Sequence, residues 1–197
     1  RHGPRGAASH VILPMSFAQP RSLEEAVSLL SGGAATLLAG GTDLYPAHVG
    51  RPLPRHVVSL GRVTELRGIS RNGAGFRLGG STTWSEIAAA NLPPAFDALR
   101  QAAREVGSIQ IQNRGTIAGN LCNASPAADG VPPLLALDAA VELASANGTR
   151  QLPLSEFITG YRRTARQPDE ILSAVIVPPS AGRSAFVKLG ARRYLVI

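Results

Sequence analysis

The chain contains a single cysteine, Cys122, among 197 residues. One thiol excludes an internal disulfide framework. It also excludes an iron–sulfur cluster or cysteine-rich zinc site built by this chain alone. Thiol scarcity suits a reducing compartment, so a cytoplasmic location is expected. Lysine is almost as rare: Lys188 is the only one, and the other nineteen of the twenty basic residues are arginine. Aromatic residues make up 5% of the chain, so the core must rest on Leu, Val, Ile and Ala. No aromatic platform accompanies the dispersed arginines. The net charge of +7 therefore reads first as coding bias toward Ala, Gly, Pro and Arg, and second as a surface that can dock an acidic partner, rather than as a nucleic-acid site. No apolar run is long enough to span a bilayer. The first ten residues lack the apolar stretch of a secretory signal, and residues 1–12 read as a disordered lead. The Gly-x-Ser-x-Gly elbow, the Gly-x-x-x-x-Gly-Lys-Ser/Thr phosphate loop and the Gly-x-Gly-x-x-Gly fingerprint are all missing. Serine hydrolases, P-loop nucleotide hydrolases and Rossmann dehydrogenases are disfavoured accordingly.

What the chain does have is a pair of glycine-rich segments far apart in sequence. The first is Leu37-Leu38-Ala39-Gly40-Gly41-Thr42-Asp43-Leu44. The second is Asn113-Arg114-Gly115-Thr116-Ile117-Ala118-Gly119-Asn120-Leu121. Each couples an apolar approach to a run of small residues ending in a polar side chain. Glycine permits close approach of main chain and positive φ. Two such turns can therefore embrace an elongated, phosphate-bearing molecule from two sides.

The surrounding pattern is mixed. Ser22-Leu23-Glu24-Glu25 predicts a capping box, followed by a helix with Leu23, Ala26, Val27, Leu29 and Leu30 on one face and ended by Gly32-Gly33. Thr36–Ala39 and His56–Leu60 read as strands. Leu66–Ser70 and Phe76–Gly79 read as a hairpin around Arg71–Gly75. Thr82-Thr83-Trp84-Ser85-Glu86 can cap a helix through Ala90, another runs from Ala95 to Val106, and a third is expected over Ala127–Leu137. Ala140–Leu143, Ile171–Val177 and the segment starting at Phe186 read as strands. Irregular alternation with hairpins favours an α+β fold in two subdomains split near Arg51–Arg55.

Backbone N–H groups of a turn or helix start can hold a pyrophosphate without a cationic side chain. Gly40 and Gly41 meet that need, with the Thr42 hydroxyl as an added donor. Asp43 is better suited to cap the next helix or to accept from a ribose. Gly115, Gly119 and Asn120 play the parallel part in the second segment, with the Thr116 hydroxyl. Asp129, in Ser125-Pro126-Ala127-Ala128-Asp129, can accept from ribityl or ribose hydroxyls. Taken alone, Lys188 reads as a solvated charge, Trp84 as core and Cys122 as a small buried hydrophobe.

These motifs, with Gln112 ahead of the second, Pro20–Val27 and Asp169-Glu170-Ile171-Leu172, resemble the FAD-binding medium subunit of molybdenum hydroxylases. That is the xanthine dehydrogenase and carbon monoxide dehydrogenase family. The resemblance implies FAD held between two α+β subdomains in a fold of the vanillyl-alcohol-oxidase (PCMH) type. It implies subdomains at 13–55 and 56–180, with 181–197 beginning an incomplete C-terminal subdomain. The implied cofactor contacts are Leu37, Leu38, Ala39, Gly40, Gly41, Thr42, Asp43 and Leu44 around the diphosphate, and Thr116, Ile117, Ala118, Gly119 and Asn120 from the other subdomain. Asp129, Leu172, Lys188 and Val106 are placed near the flavin ring or its side chain. Gln112 and Ala118 stand where the family usually has Arg and Gly, and Val106 where some relatives have an aromatic residue. The implied role is electron relay: from a molybdopterin-binding large subunit through an iron–sulfur small subunit to FAD, and on to NAD⁺, oxygen or a quinone. No catalytic side chain or metal ligand is expected in this chain. A flavin-free assembly or adaptor domain of the same fold is the rival expectation.

Overall fold

The computed structural model describes residues 15–32 and 35–189. The expected lead at 1–12, Gly33 and the stretch beyond Leu189 lie outside them.

The first lobe opens with β1 (Ser16–Ala18), α1 (Leu23–Leu30), β2 (Thr36–Leu38), α2 (Leu44–Ala47) and β3 (His56–Ser59). Ser22 caps α1 by accepting from the Glu25 amide at 3.1 Å. The capping box is incomplete. The Glu25 carboxylate accepts from the Arg21 amide at 2.8 Å instead of from Ser22. Ala26, Val27 and Leu30 are buried, while Leu29 faces outward. β3 sits between β1 and β2 in a parallel three-stranded sheet. The first lobe's sheet therefore extends to Ser59, past the expected boundary at Arg55, because Val57 and Val58 bury themselves against both neighbours.

The second lobe is built on β4 (Ile69–Asn72), β5 (Gly75–Gly79), β6 (Ala140–Ser145), β7 (Gly148–Pro153) and β10 (Ile171–Val177). They form an antiparallel sheet in the order β4-β5-β10-β6-β7. A small pair, β8 (Ile158–Gly160) with β9 (Arg163–Thr164), stands apart. The β4–β5 hairpin turns on Gly73-Ala74, a tighter turn than expected, because the Asn72 side chain accepts from the Ala74 amide at 2.9 Å. β10 is the apolar centre of the sheet, with six of its seven residues buried and a bulge between Leu172 and Ala174.

Helices α3 (Trp84–Ala89), α4 (Asp97–Glu105), α5 (Ile109–Gln112), α6 (Ile117–Asn123), α7 (Val131–Ala136) and α8 (Leu154–Phe157) complete the fold. Trp84, Ile87, Phe96, Leu99, Ile117, Leu121 and Leu134 pack with Val141, Leu143, Leu172 and Val175 of the sheet. α3 carries a full capping box from Thr83 and Glu86. α7 is shorter than the expected Ala127–Leu137 helix. Residues before it form turns, and Pro132 is tolerated only in the first helical turn.

The other face of the sheet meets the first lobe. Ala144 and Ile171 pack with Ala26, Val27, Leu30, Val58, Leu60, Val63 and Leu66 in one apolar cluster. Downstream of β10, the expected strand at Phe186–Leu189 does not form. That stretch has no ladder partner among the described residues, and the local bonds of Ser184 and Phe186 run to helix α4 and the turn before it. Ser184 bonds the Ala98 amide at 2.9 Å and the Ala95 carbonyl at 2.6 Å. The Phe186 amide donates to Gln101 at 2.8 Å. No helix among the described residues is long and apolar enough to cross a membrane.

Candidate cofactor cleft

A cleft of about 910 Å³ lies between the lobes, within the size range of cofactor sites. The whole of Leu37–Leu44 lines it on one side. Val106, Thr116, Ala118, Gly119, Asn120, Asp129 and Leu172 line it on the other. Two expected residues do not. Ile117 is fully buried in the core of the second lobe, because it occupies the inward face of α6. Lys188 lies off the cleft wall and is held by Asp129.

The first segment leaves β2 and enters the short α2. Gly41 has φ +77°, a left-handed conformation that favours glycine. Gly40 has a different reason to be glycine: a Cβ there would overlap the Arg114 carbonyl. The two glycine segments thus touch each other, main chain to main chain. Among the described residues, the N–H groups of Gly40, Gly41, Thr42, Asp43 and Leu44 donate to no protein acceptor. Five successive amides without an acceptor among the described residues, on a cleft wall, can receive an anion.

The second segment differs from the expected glycine turn. It is the start of α6, with Thr116 as its N-cap. The amides of Ile117, Ala118, Gly119 and Asn120 are already engaged. Ile117 donates to Thr82 at 3.0 Å and Ala118 to Gly80 at 3.0 Å. Gly119 donates to the Thr116 hydroxyl at 3.1 Å and Asn120 to the Thr116 carbonyl at 3.0 Å. From Ile117 to Asn120 this side can therefore offer a ligand side chains rather than main-chain donors. Thr116 keeps its own O–H to give. Asn120 presents a buried carbonyl oxygen with no hydrogen-bond partner among the described residues. Such an orphan costs free energy unless a ligand or water satisfies it.

The charges around the cleft are arranged in pairs. Lys188 Nζ lies 3.0 Å from Asp129 Oδ2, and both side chains are largely buried. Asp43 accepts from Asn123 Nδ2 at 2.8 Å, and Asn123 Oδ1 accepts from Arg162 at 2.7 Å. Arg162 and Arg166 both line the cleft. Arg166 is fixed by donating to the Glu170 carbonyl at 2.7 Å. The Arg150 guanidinium bonds the Glu170 carboxylate and holds it below the usual carboxylate range. Burial pushes the Cys122 thiol, also on the wall, up to about 11, so it stays protonated at neutral pH.

Sequence reasoning missed Arg162, Arg166 and Asn123. Arg162 and Arg166 sit in a stretch without regular periodicity. The one available signal was the basic run at Tyr161-Arg162-Arg163 after a glycine.

The donor set fits FAD. A row of bare amides suits the diphosphate, the orphaned Asn120 oxygen suits a hydroxyl or ring N–H, and Leu37, Leu38, Val106 and Leu172 provide apolar wall.

Comparison with known proteins points the same way. The family described as the FAD binding domain in molybdopterin dehydrogenase matches residues 13–180. The nicotinate dehydrogenase FAD-subunit of Eubacterium barkeri is 39% identical over 193 residues, covering 92% of this chain and 64% of that protein. The xanthine dehydrogenase FAD-binding subunit of Escherichia coli O157:H7 is 36% identical over 168 residues, covering 83% of this chain and 58% of that protein. A solved structure of reconstituted CO dehydrogenase from Oligotropha carboxidovorans superposes with a TM-score of 0.80 at 30% identity, over 86% of this chain and 62% of that one. The chain thus spans about three fifths of the length of these relatives.

Proposed function

The chain belongs to the family of FAD-binding domains of molybdopterin dehydrogenases, and from that premise we propose that its inter-lobe cleft holds FAD for electron transfer within a molybdenum-containing hydroxylase. The row of unpaired amides at Gly40–Leu44 carries this reading. These amides and the Thr42 hydroxyl bind the diphosphate. Thr116 and Asn120 reach it or the adjoining hydroxyls from α6. Leu172 and Val106 pack against the ring system, and the Asp129–Lys188 pair sets the charge beside it. When bound, FAD supplies exchange of one or two electrons. The residues of this chain bind and orient it, and the apolar wall restricts water.

In this reading the fold is the two-subdomain PCMH type. The protein works in the cytoplasm beside a molybdopterin-binding large subunit and an iron–sulfur small subunit. It passes electrons from the clusters through FAD to NAD⁺, oxygen or a quinone. The substrate class is chosen by the large subunit.

Purification of the full-length protein tests the reading. The expected preparation is yellow and releases FAD, not FMN, on denaturation. A folded, colourless protein that takes up no added FAD overturns it and leaves the adaptor reading. Gly41→Val is expected to abolish FAD retention. A branched side chain is strained at φ +77°, and its Cβ would meet the Tyr45 ring, distorting the loop.

A further inference from the structure

We infer that Asn123 is a positioning residue that ties the first glycine loop to the second lobe across the rim of the cleft, and that this tie sets how fast FAD escapes. The inference rests on the FAD reading above. Asp43, Asn123 and Arg162 all line the cleft, and two of the three are solvent-exposed, which places them at its rim. They come from distant parts of the chain: Asn123 is 80 residues from Asp43 and 39 from Arg162.

Each member is held for this contact. Asp43 starts α2, yet its carboxylate makes no capping bond to that helix. It accepts from Asn123 instead. Arg162 sits at φ +50°, an unfavourable conformation for a long side chain. Its amide donates to the Ala124 carbonyl at 3.1 Å, and its guanidinium lies 5.9 Å from the Tyr161 ring centroid. The polarity of Asn123 is fixed by its neighbours. Only one orientation gives an N–H to the carboxylate and a C=O to the guanidinium. The opposite flip would set two donors face to face and two acceptors face to face.

The loop amides have no protein acceptor among the described residues. The Asp43 side chain and the approach of Gly40 to Arg114 therefore fasten the loop tip to the second lobe. Cutting the Asp43–Asn123 link frees the loop without touching the core.

The test measures FAD dissociation from the full-length holoprotein by fluorescence recovery, beside the unfolding midpoint of the flavin-free form. Asn123→Ala is expected to release FAD about tenfold faster, with the midpoint of the flavin-free form unchanged. Asn123→Asp alone sets a second carboxylate beside Asp43 and is expected to be at least as leaky. The double variant Asp43→Asn with Asn123→Asp restores both hydrogen bonds with one donor direction reversed, and is expected to return the rate to near wild type. A wild-type release rate in Asn123→Ala overturns the inference while leaving the FAD reading intact. So does a double variant as leaky as Asn123→Asp. If Asn123→Ala does not fold, the comparison of single and double variants decides. A wild-type protein that binds no FAD brings down the cleft assignment and this inference together.

Discussion

The two glycine segments look alike in sequence and act differently in the structure. The first leaves the amides of Gly40–Leu44 without a protein acceptor among the described residues. The second has closed those of Ile117–Asn120 into a helix start and into bonds with Gly80 and Thr82. One wall of the cleft is therefore a main-chain anion surface, and the other is a scaffold that presents side chains. Glycine also serves different ends. Gly41 is needed for its backbone conformation, whereas Gly40 is needed so that the two segments can touch. A shared motif texture thus conceals a division of labour between binding and support.

The largest test of this contrast is Gly40→Ala. Its new methyl group meets rigid backbone at Arg114, so overpacking should cost about 2–3 kcal/mol and lower the Tm by roughly 5–10 °C, with FAD lost as the loops part. Gly41→Ala meets side-chain atoms, chiefly the exposed Tyr45 ring, rather than rigid backbone, and should cost about 1–2 kcal/mol for the positive φ. Thermal melts that rank Gly41→Ala as the worse of the two would break the assignment of Gly40 to the interloop contact.

Next comes Thr116→Ala, which removes the N-cap of α6. A loss of about 1 kcal/mol is expected in chemical denaturation, and Thr116→Ser should restore most of it. Thr42→Ala sharpens the contrast from the other wall. It should weaken FAD binding about fivefold, read by titration of the flavin-free protein, while leaving the denaturation midpoint in place. If Thr42→Ala destabilises and Thr116→Ala does not, the two walls have been given each other's roles.

The smallest effect concerns acid. The Glu170 carboxyl lies below its ordinary value in the folded protein, chiefly because Arg150 bonds it. Its contribution is fully present above the ordinary carboxylate range and fades as pH falls through the lowered value. Glu170→Gln should therefore lose stability at neutral pH and show a shallower decline on acidification, measured as Tm against pH between about 3 and 7. An unaltered slope would show that the Arg150–Glu170 pair adds nothing to the acid sensitivity of the fold.

Much of the frame was legible because it depends on neighbours in sequence. Ser22 and Thr83 announced their helices through short-range capping, and the apolar spacing after Ser22 marked Ala26, Val27 and Leu30. β10 could be read from its apolar run, interrupted only by Ser173. The cleft's first wall was legible as well, since a strand, two glycines and a helix start are local signals. The second wall was not. Small residues around Gly119 suit a turn and a tightly packed helix equally, and only Thr82 and Gly80, some 35 residues earlier, decide between them. The Asp129–Lys188 pair lay beyond reach for the same reason, being 59 residues apart. The positive φ of Arg162 had no glycine or asparagine to signal it.

The apolar seam that joins Ala144 and Ile171 to the first lobe has a thermodynamic consequence. Water would have to enter that seam before the lobes could swing apart, so a clamshell opening is costly. Cofactor exchange is left to the rim, and a calorimetric scan should show both lobes melting in a single heat-absorption peak.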